Sequence, residues 1–208
     1  MSDWRIPHDA VIKDFMAYLN ASNNRYVLKG GTALYLCYQL NRFSEDIDLD
    51  SSKSNIIPIV ESFCKKYSYT YRVAKNTPIV QRCMIDYGNT GKPLKVEISY
   101  RRREIPVEET TVIHGIRTYT INHLCAQKAS AYAGRDKVRD LFDLSFIYLT
   151  YKGELTPETI SLIRHTVAYK GIEQYDYVVR EQQDELIDTD TMAENFLAMF
   201  SDLGLMHE

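Results

Sequence analysis

The segment RFSEDIDLD, residues 42–50, constrains this chain more than any other stretch. DIDLD alternates with the period of a strand, so Asp46, Asp48 and Asp50 fall on one side and Ile47 and Leu49 on the other. The apolar side has to be covered. The acidic side cannot be buried without a reason, because an ionised carboxylate loses its hydration in a core. A fold for this sequence therefore needs a sheet with one apolar face and one face given over to charge. Asp46 and Asp48, two apart on one strand, present both carboxylates to a common point, the minimum arrangement for holding a divalent cation through oxygen ligands.

A second strand of the same design lies in PLKVEISY, where Leu94, Val96 and Ile98 form the apolar side and Lys95, Glu97 and Ser99 the polar one. Glu97 is thus a third carboxylate on an otherwise core-like strand. Three converging acids repel unless a cation lies among them, so Asp46, Asp48 and Glu97 are expected to form a Mg²⁺ site serving phosphates. One acid there could accept the proton of an attacking hydroxyl. Upstream, YVLKGGTALYL joins a short strand to a helix through Gly30 and Gly31. Two successive glycines let the backbone turn tightly and approach a ligand, and a helix opening at Thr32 aims free N–H groups at a triphosphate. The Thr32 hydroxyl is a further candidate contact. Each signal also has a plainer reading, since a glycine pair before a helix is most often a turn and D-x-D is often solvated charge.

Periodicity organises the rest. Val11, Ile12, Phe15, Met16 and Leu19 predict an amphipathic helix over 8–22, and Ile56, Ile57, Ile59, Val60 and Phe63 another over about 55–67. YTYRVA, IVQRCMIDY and PLKVEISY are strand candidates, the last two joined by the turn GNTGKP. Short extended segments are expected around Gly115. Beyond Ile121 the character becomes mostly helical: 122–133, 137–151, a helix with Thr156 as N-cap and Pro157 at its first position, and further helices over about 176–188 and 192–203. The expected class is α/β (α+β), a mixed sheet flanked by helices, with an α/β core over 1–120 and a helical region over 121–208 packed on it.

Several separated motifs, in order, carry a family resemblance. LKGGTALYL and RFSEDIDLD supply Gly30, Gly31, Thr32, Ser44, Asp46 and Asp48; KVEIS supplies Glu97; QKASAYAGRDKVRDLFDL supplies Lys128, Arg135, Arg139, Asp140, Asp143 and Leu144. Over residues 25–150 the chain resembles the nucleotidyltransferase family of the AbiEii and AbiGii toxins, a branch of the polymerase-β-like superfamily. Thr32 stands where many superfamily members have serine and keeps the hydroxyl. The C-terminal part is less characteristic, which leaves the acceptor open. The resemblance implies a toxin of a toxin–antitoxin or phage-defence system that uses a nucleoside triphosphate and Mg²⁺ to attach nucleotides to an acceptor, some relatives acting on the 3′ end of tRNA. It implies a possible cognate antitoxin as partner. On it, Asp46, Asp48 and Glu97 bind the metal, with Glu97 completing the site or acting as base. Gly30, Gly31, Thr32, Ser44 and Asp143 belong to the nucleotide site, and Lys128 offsets triphosphate charge.

The plainer readings stand beside these. Ser44 can hold the turn ahead of the acids through its side chain. Arg139 and Asp143, four apart, can pair along a helix, so the roles of Arg135, Arg139 and Asp140 stay open. Transfer to a protein side chain would use the same core, and an inactive protein-binding module would keep the fold alone. A formal charge of −3 argues against nucleic-acid binding by bulk electrostatics but leaves room for local basic runs such as Arg101–Arg103. Four cysteines without C-x-x-C spacing read as core residues, and the five histidines as surface or packing residues. No run of 18 apolar residues and no export segment is present, so a cytoplasmic protein without membrane association is expected.

Overall fold

The computed structural model describes residues 3–22, 25–52, 55–88 and 91–206. The chain forms two compact units, one of Met1–Gln39 with Phe43–Tyr119, the other of Leu40–Arg42 with Thr120–Glu208.

The first unit is built on a seven-stranded sheet: β1 (Val27–Lys29), β2 (Asp46–Asp50), β3 (Thr70–Asn76), β4 (Val80–Asp86), β5 (Leu94–Ser99), β6 (Thr110–Ile113) and β7 (Ile116–Tyr119). Their spatial order is β3-β4-β5-β2-β1-β7-β6. The sheet is mixed, since β2 runs parallel to β5 and β1 parallel to β7, while β1 and β2 are antiparallel. β4 and β5 form the hairpin expected from the sequence, although turn residues Asn89 and Thr90 lie outside the described residues.

Three helices accompany the sheet: α1 (Arg5–Ser22), α2 (Gly30–Cys37) and α3 (Ile57–Tyr67). α1 begins ahead of the expected residue 8, and buries His8 with the anticipated Val11, Ile12, Phe15, Met16 and Leu19. Phe15 of α1 meets Phe63 of α3 edge to face, with ring centroids 5.1 Å apart. The apolar side of the strands supplies Leu28, Ile47, Leu49, Val96 and Ile98, all fully buried. Their alternation leaves the other side polar from Lys29 through Asp48 to Glu97.

The second unit is helical: α4 (Ile121–Gly134), α5 (Val138–Tyr151), α6 (Pro157–Glu181) and α7 (Thr189–Asp202). α5 is its centre, with Leu141, Leu144 and Ile147 fully buried together with Asp143. Thr156 caps α6 by accepting from the Thr159 N–H, with Pro157 in the first turn. Gly171, at φ 71°, breaks the helical path within α6. Past that break a second helical segment runs to Glu181, so the helix expected over about 176–188 is present but begins earlier and stops at Glu181, and Asp188 instead caps α7 by accepting from the Thr191 N–H. Among the described residues, no helix is long and apolar enough to cross a membrane.

Candidate active site

The acids owe their placement to β2 and its two neighbours. In the parallel register with β5, Asp48 stands directly beside Glu97 and Asp46 beside Lys95. In the antiparallel register with β1, Asp48 stands beside Lys29. Side chains directly across a ladder share a face, so Asp46, Asp48, Lys95 and Glu97 lie together. Asp50 continues the row but is buried, accepting from Lys29 Nζ at 2.6 Å and from the Tyr119 hydroxyl at 2.8 Å.

Three side chains fix the entry into β2. The Thr32 hydroxyl donates to the Asp46 carbonyl, so the Ser44 hydroxyl, 2.9 Å away, is left to donate to Thr32. Both side chains are buried. The sequence reading gave Thr32 and Ser44 to the nucleotide; here their hydroxyls tie the start of α2 to the start of β2, the plainer role considered for Ser44. His8 does the same one residue earlier. Its Nε2 lies 2.7 Å from the Glu45 carbonyl, which can only accept, so Nε2 donates and Nδ1 takes the Tyr87 hydroxyl at 2.5 Å. His8, expected to be a surface or packing residue, thus helps hold the acids' strand, and its place before an amphipathic run gave no sign of this.

Charge pairing separates Asp48 from its neighbours. Asp46 meets Lys95 at 2.6 Å, and Glu97 meets Arg82 at 2.5 Å. The nearest cation to Asp48 is Lys95, 4.0 Å away. Desolvation raises the Asp48 pKa; Lys95 opposes this, while the Asp46 and Glu97 carboxylates add to it. Burial would lower the Lys95 pKa, but the bond to Asp46 and the charge of Asp48 leave it raised.

α2 opens at Gly30 rather than at Thr32. Gly30 sits at φ +72°, and a Cβ there would come 3.3 Å from Asp48 Oδ2, so glycine is needed both for the turn and for room beside the carboxylate. Lys29 precedes the helix without a side-chain cap, leaving its first N–H groups without a side-chain acceptor from that residue.

These donors suit a hard divalent cation: two carboxylates two apart on β2, a third at the adjoining position of β5, and a glycine that keeps one of them approachable. Among the described residues, however, no three His, Cys, Asp or Glu side chains are gathered as a metal-ligating group. Lys95 and Arg82 hold the carboxylates of Asp46 and Glu97 instead, as expected of basic neighbours where acids crowd. The register brings the three acids together, but Asp46 and Glu97 are turned to their own cations and Asp48 is not.

In the second unit, Lys128 of α4 lies 2.7 Å from Asp143 and 3.1 Å from Asp140, both of α5. Arg42 completes the group with two bonds of 2.7 Å to the two oxygens of Asp143. Arg135 pairs with Asp140 at 2.7 Å. Burial would lower the Lys128 pKa, but Asp143 and Asp140 raise it. Sequence reasoning gave Arg42 no role; its partner lies 101 residues away, beyond any local spacing rule. The considered Arg139–Asp143 helix pair does not form, because Arg139 bonds Asp184 and Asp143 turns to Arg42 and Lys128. All four cysteines are free and buried.

A mixed sheet carrying acids on adjoining parallel strands, beside a helix opened by glycine, is the core of a polymerase-β-like nucleotidyltransferase. Residues 14–207 match the family described as nucleotidyl transferase AbiEii toxin, type IV toxin–antitoxin system, and the chain belongs to that family. The fold is similar to JHP933 from Helicobacter pylori, with a TM-score of 0.78 and 30% identity over 99% of this chain and 94% of that one. It is similar also to a candidate nucleotidyltransferase from H. pylori, with a TM-score of 0.78 and 29% identity over 100% of both chains. No curated protein matches by sequence. The chain is accordingly an enzyme, a nucleotidyltransferase of the AbiEii type that takes a nucleoside triphosphate as substrate.

Proposed function

We propose that the chain transfers a nucleoside monophosphate from an NTP to the hydroxyl at an RNA 3′ end, with tRNA the first acceptor to test, as the toxin of a toxin–antitoxin or phage-defence pair. The observation that carries the reading is the register of Asp48 beside Glu97, with Asp46 two residues earlier on the same face.

In this reading Asp46 and Asp48 hold Mg²⁺, and Glu97 completes the carboxylate set or accepts the proton of the attacking hydroxyl. When bound, the ion supplies Lewis-acid polarisation of the phosphate and lowers the pKa of the attacking hydroxyl. Gly30 and Gly31 let the backbone approach the triphosphate, and the N–H groups at the start of α2 favour its charge. Thr32 and Ser44 act by keeping β2 against the start of α2. Asp48 has to be ionised to serve as a ligand, and its burial, which raises its pKa, works against that ionisation. In the second unit, Lys128 is an ammonium of the kind that offsets phosphate charge, kept protonated by Asp140 and Asp143.

The test is incubation of the purified protein with Mg²⁺ and each labelled NTP in turn, with total tRNA or with protein alone. Label on RNA alone supports the proposal. Label on polypeptide points to a protein side chain as acceptor, and no label with no NTP binding points to a protein-binding module.

A further inference from the structure

Beyond the C-terminal end of β2 lies a group of residues that the proposed reaction does not use. A cavity of about 600 Å³ is lined there by Arg25, Arg103 and Arg117 together with Ser51 and Ser52. Glu104 and Ile105 complete its lining, which thus holds three basic residues and one acidic one. Ser51 is 1% exposed, and its hydroxyl has no hydrogen-bond partner. Its backbone is held by the Ser51 N–H donating to the Ser99 carbonyl at 3.1 Å, so the residue is fixed while its side chain is unsatisfied. A buried hydroxyl of this kind calls for a ligand or water to supply the missing bond.

Register relates the cavity to the acids. Val27 pairs with Asp50 and Lys29 with Asp48, so these two positions of β1 lie on the acid side, with Arg25 in the turn just ahead of the strand. Leu28 pairs with Thr118, which leaves Arg117 and Tyr119 on that side too, in keeping with the Tyr119 bond to Asp50. At the rise of a strand, the three residues from Asp48 to Ser51 span about 10 Å.

Guanidinium forks match phosphate oxygens, and a hydroxyl donor beside them adds a further bond to the same group. We propose that this cavity binds a backbone phosphate of the RNA acceptor, a short way along the strand from the 3′ end that reacts at Asp46 and Asp48. The inference rests on the RNA reading above and adds the place where the acceptor is gripped.

The experiment measures binding of a labelled tRNA by the full chain across a salt series, for the wild type, Arg25→Ala/Arg103→Ala, Arg103→Lys and Ser51→Ala, with NTP binding and thermal melting measured in parallel. RNA affinity should fall about tenfold for each arginine replaced by alanine, and the slope of log affinity against log salt should shrink by about one per lost phosphate contact. Arg103→Lys should fall between, keeping the charge but losing the fork. Ser51→Ala should weaken RNA binding while melting no lower than wild type. NTP binding should not change. If the double variant binds and labels RNA like wild type, the proposal is overturned while the acceptor reading stands, and this holds even if inorganic phosphate is found to bind in the cavity. If the wild type labels polypeptide and neither labels nor binds RNA, both fall.

Discussion

Asp48 has two neighbouring acids and no cation closer than 4.0 Å, and its behaviour can be read in solution. A carboxyl whose folded pKa is raised binds its proton more tightly in the native state than in the unfolded one, so it withdraws stability as pH rises from the ordinary carboxylate range through the raised native value. In metal-free buffer, Asp48→Asn should therefore melt at or above the wild-type temperature at pH 7, with the difference closing as the pH is lowered below that window. The same substitution should reduce nucleotide transfer by at least about a hundredfold, because it removes ligand charge at nearly constant volume. A melting temperature well below wild type, or retained transfer, would count against the role given to this residue. Gly30→Ala tests the space beside it. Forcing an L side chain into φ +72° with its Cβ 3.3 Å from Asp48 should cost about 1–2 kcal/mol in urea denaturation and lower transfer more than it lowers stability.

The elements differ in how openly the sequence announces them. DIDLD and LKVEIS were legible as strands with an acidic and an apolar side because a half-buried strand writes its two faces in alternation, and their pairing brings Asp48 to Glu97. α1, α3, α4 and α5 were legible from helical spacing. The run after α6 was not, because residues 182–188 carry no rigid breaker at the point where the helix ends, and the stop is made by tertiary bonds such as Gln182 accepting from the Val138 N–H at 3.0 Å. The grouping of Lys128 with Asp143 came from a family likeness, and no spacing rule could have added Arg42 to it. α5 carries Asp143 in a fully buried position, where it is paired with both Arg42 and Lys128. Arg42→Ala should thus cost about 3–5 kcal/mol, measured by urea denaturation, because a buried charge loses its bidentate partner. Arg42→Lys should recover only part of the loss, since an ammonium cannot reproduce the fork.

At the scale of the whole chain, the prediction concerns ligand linkage. A cation that binds only the native protein adds stability by mass action, about 2.7 kcal/mol at one hundred times its dissociation constant. Mg²⁺ should raise the melting temperature of the wild type and leave that of Asp48→Asn nearly unchanged, a comparison that requires no knowledge of the acceptor. Residue spacing gave the turn from mixed to helical character after Ile121, because helical spacing replaces alternation there. It gave no hint that Leu40–Arg42 belongs with the helices, since three residues are too few to show a period. That short excursion bears on inheritance. A gene cut after residue 119 would yield a C-terminal piece whose Asp143 has lost its guanidinium, so recombination cannot pass the helical half between homologues as a free cassette without carrying a compatible residue at position 42.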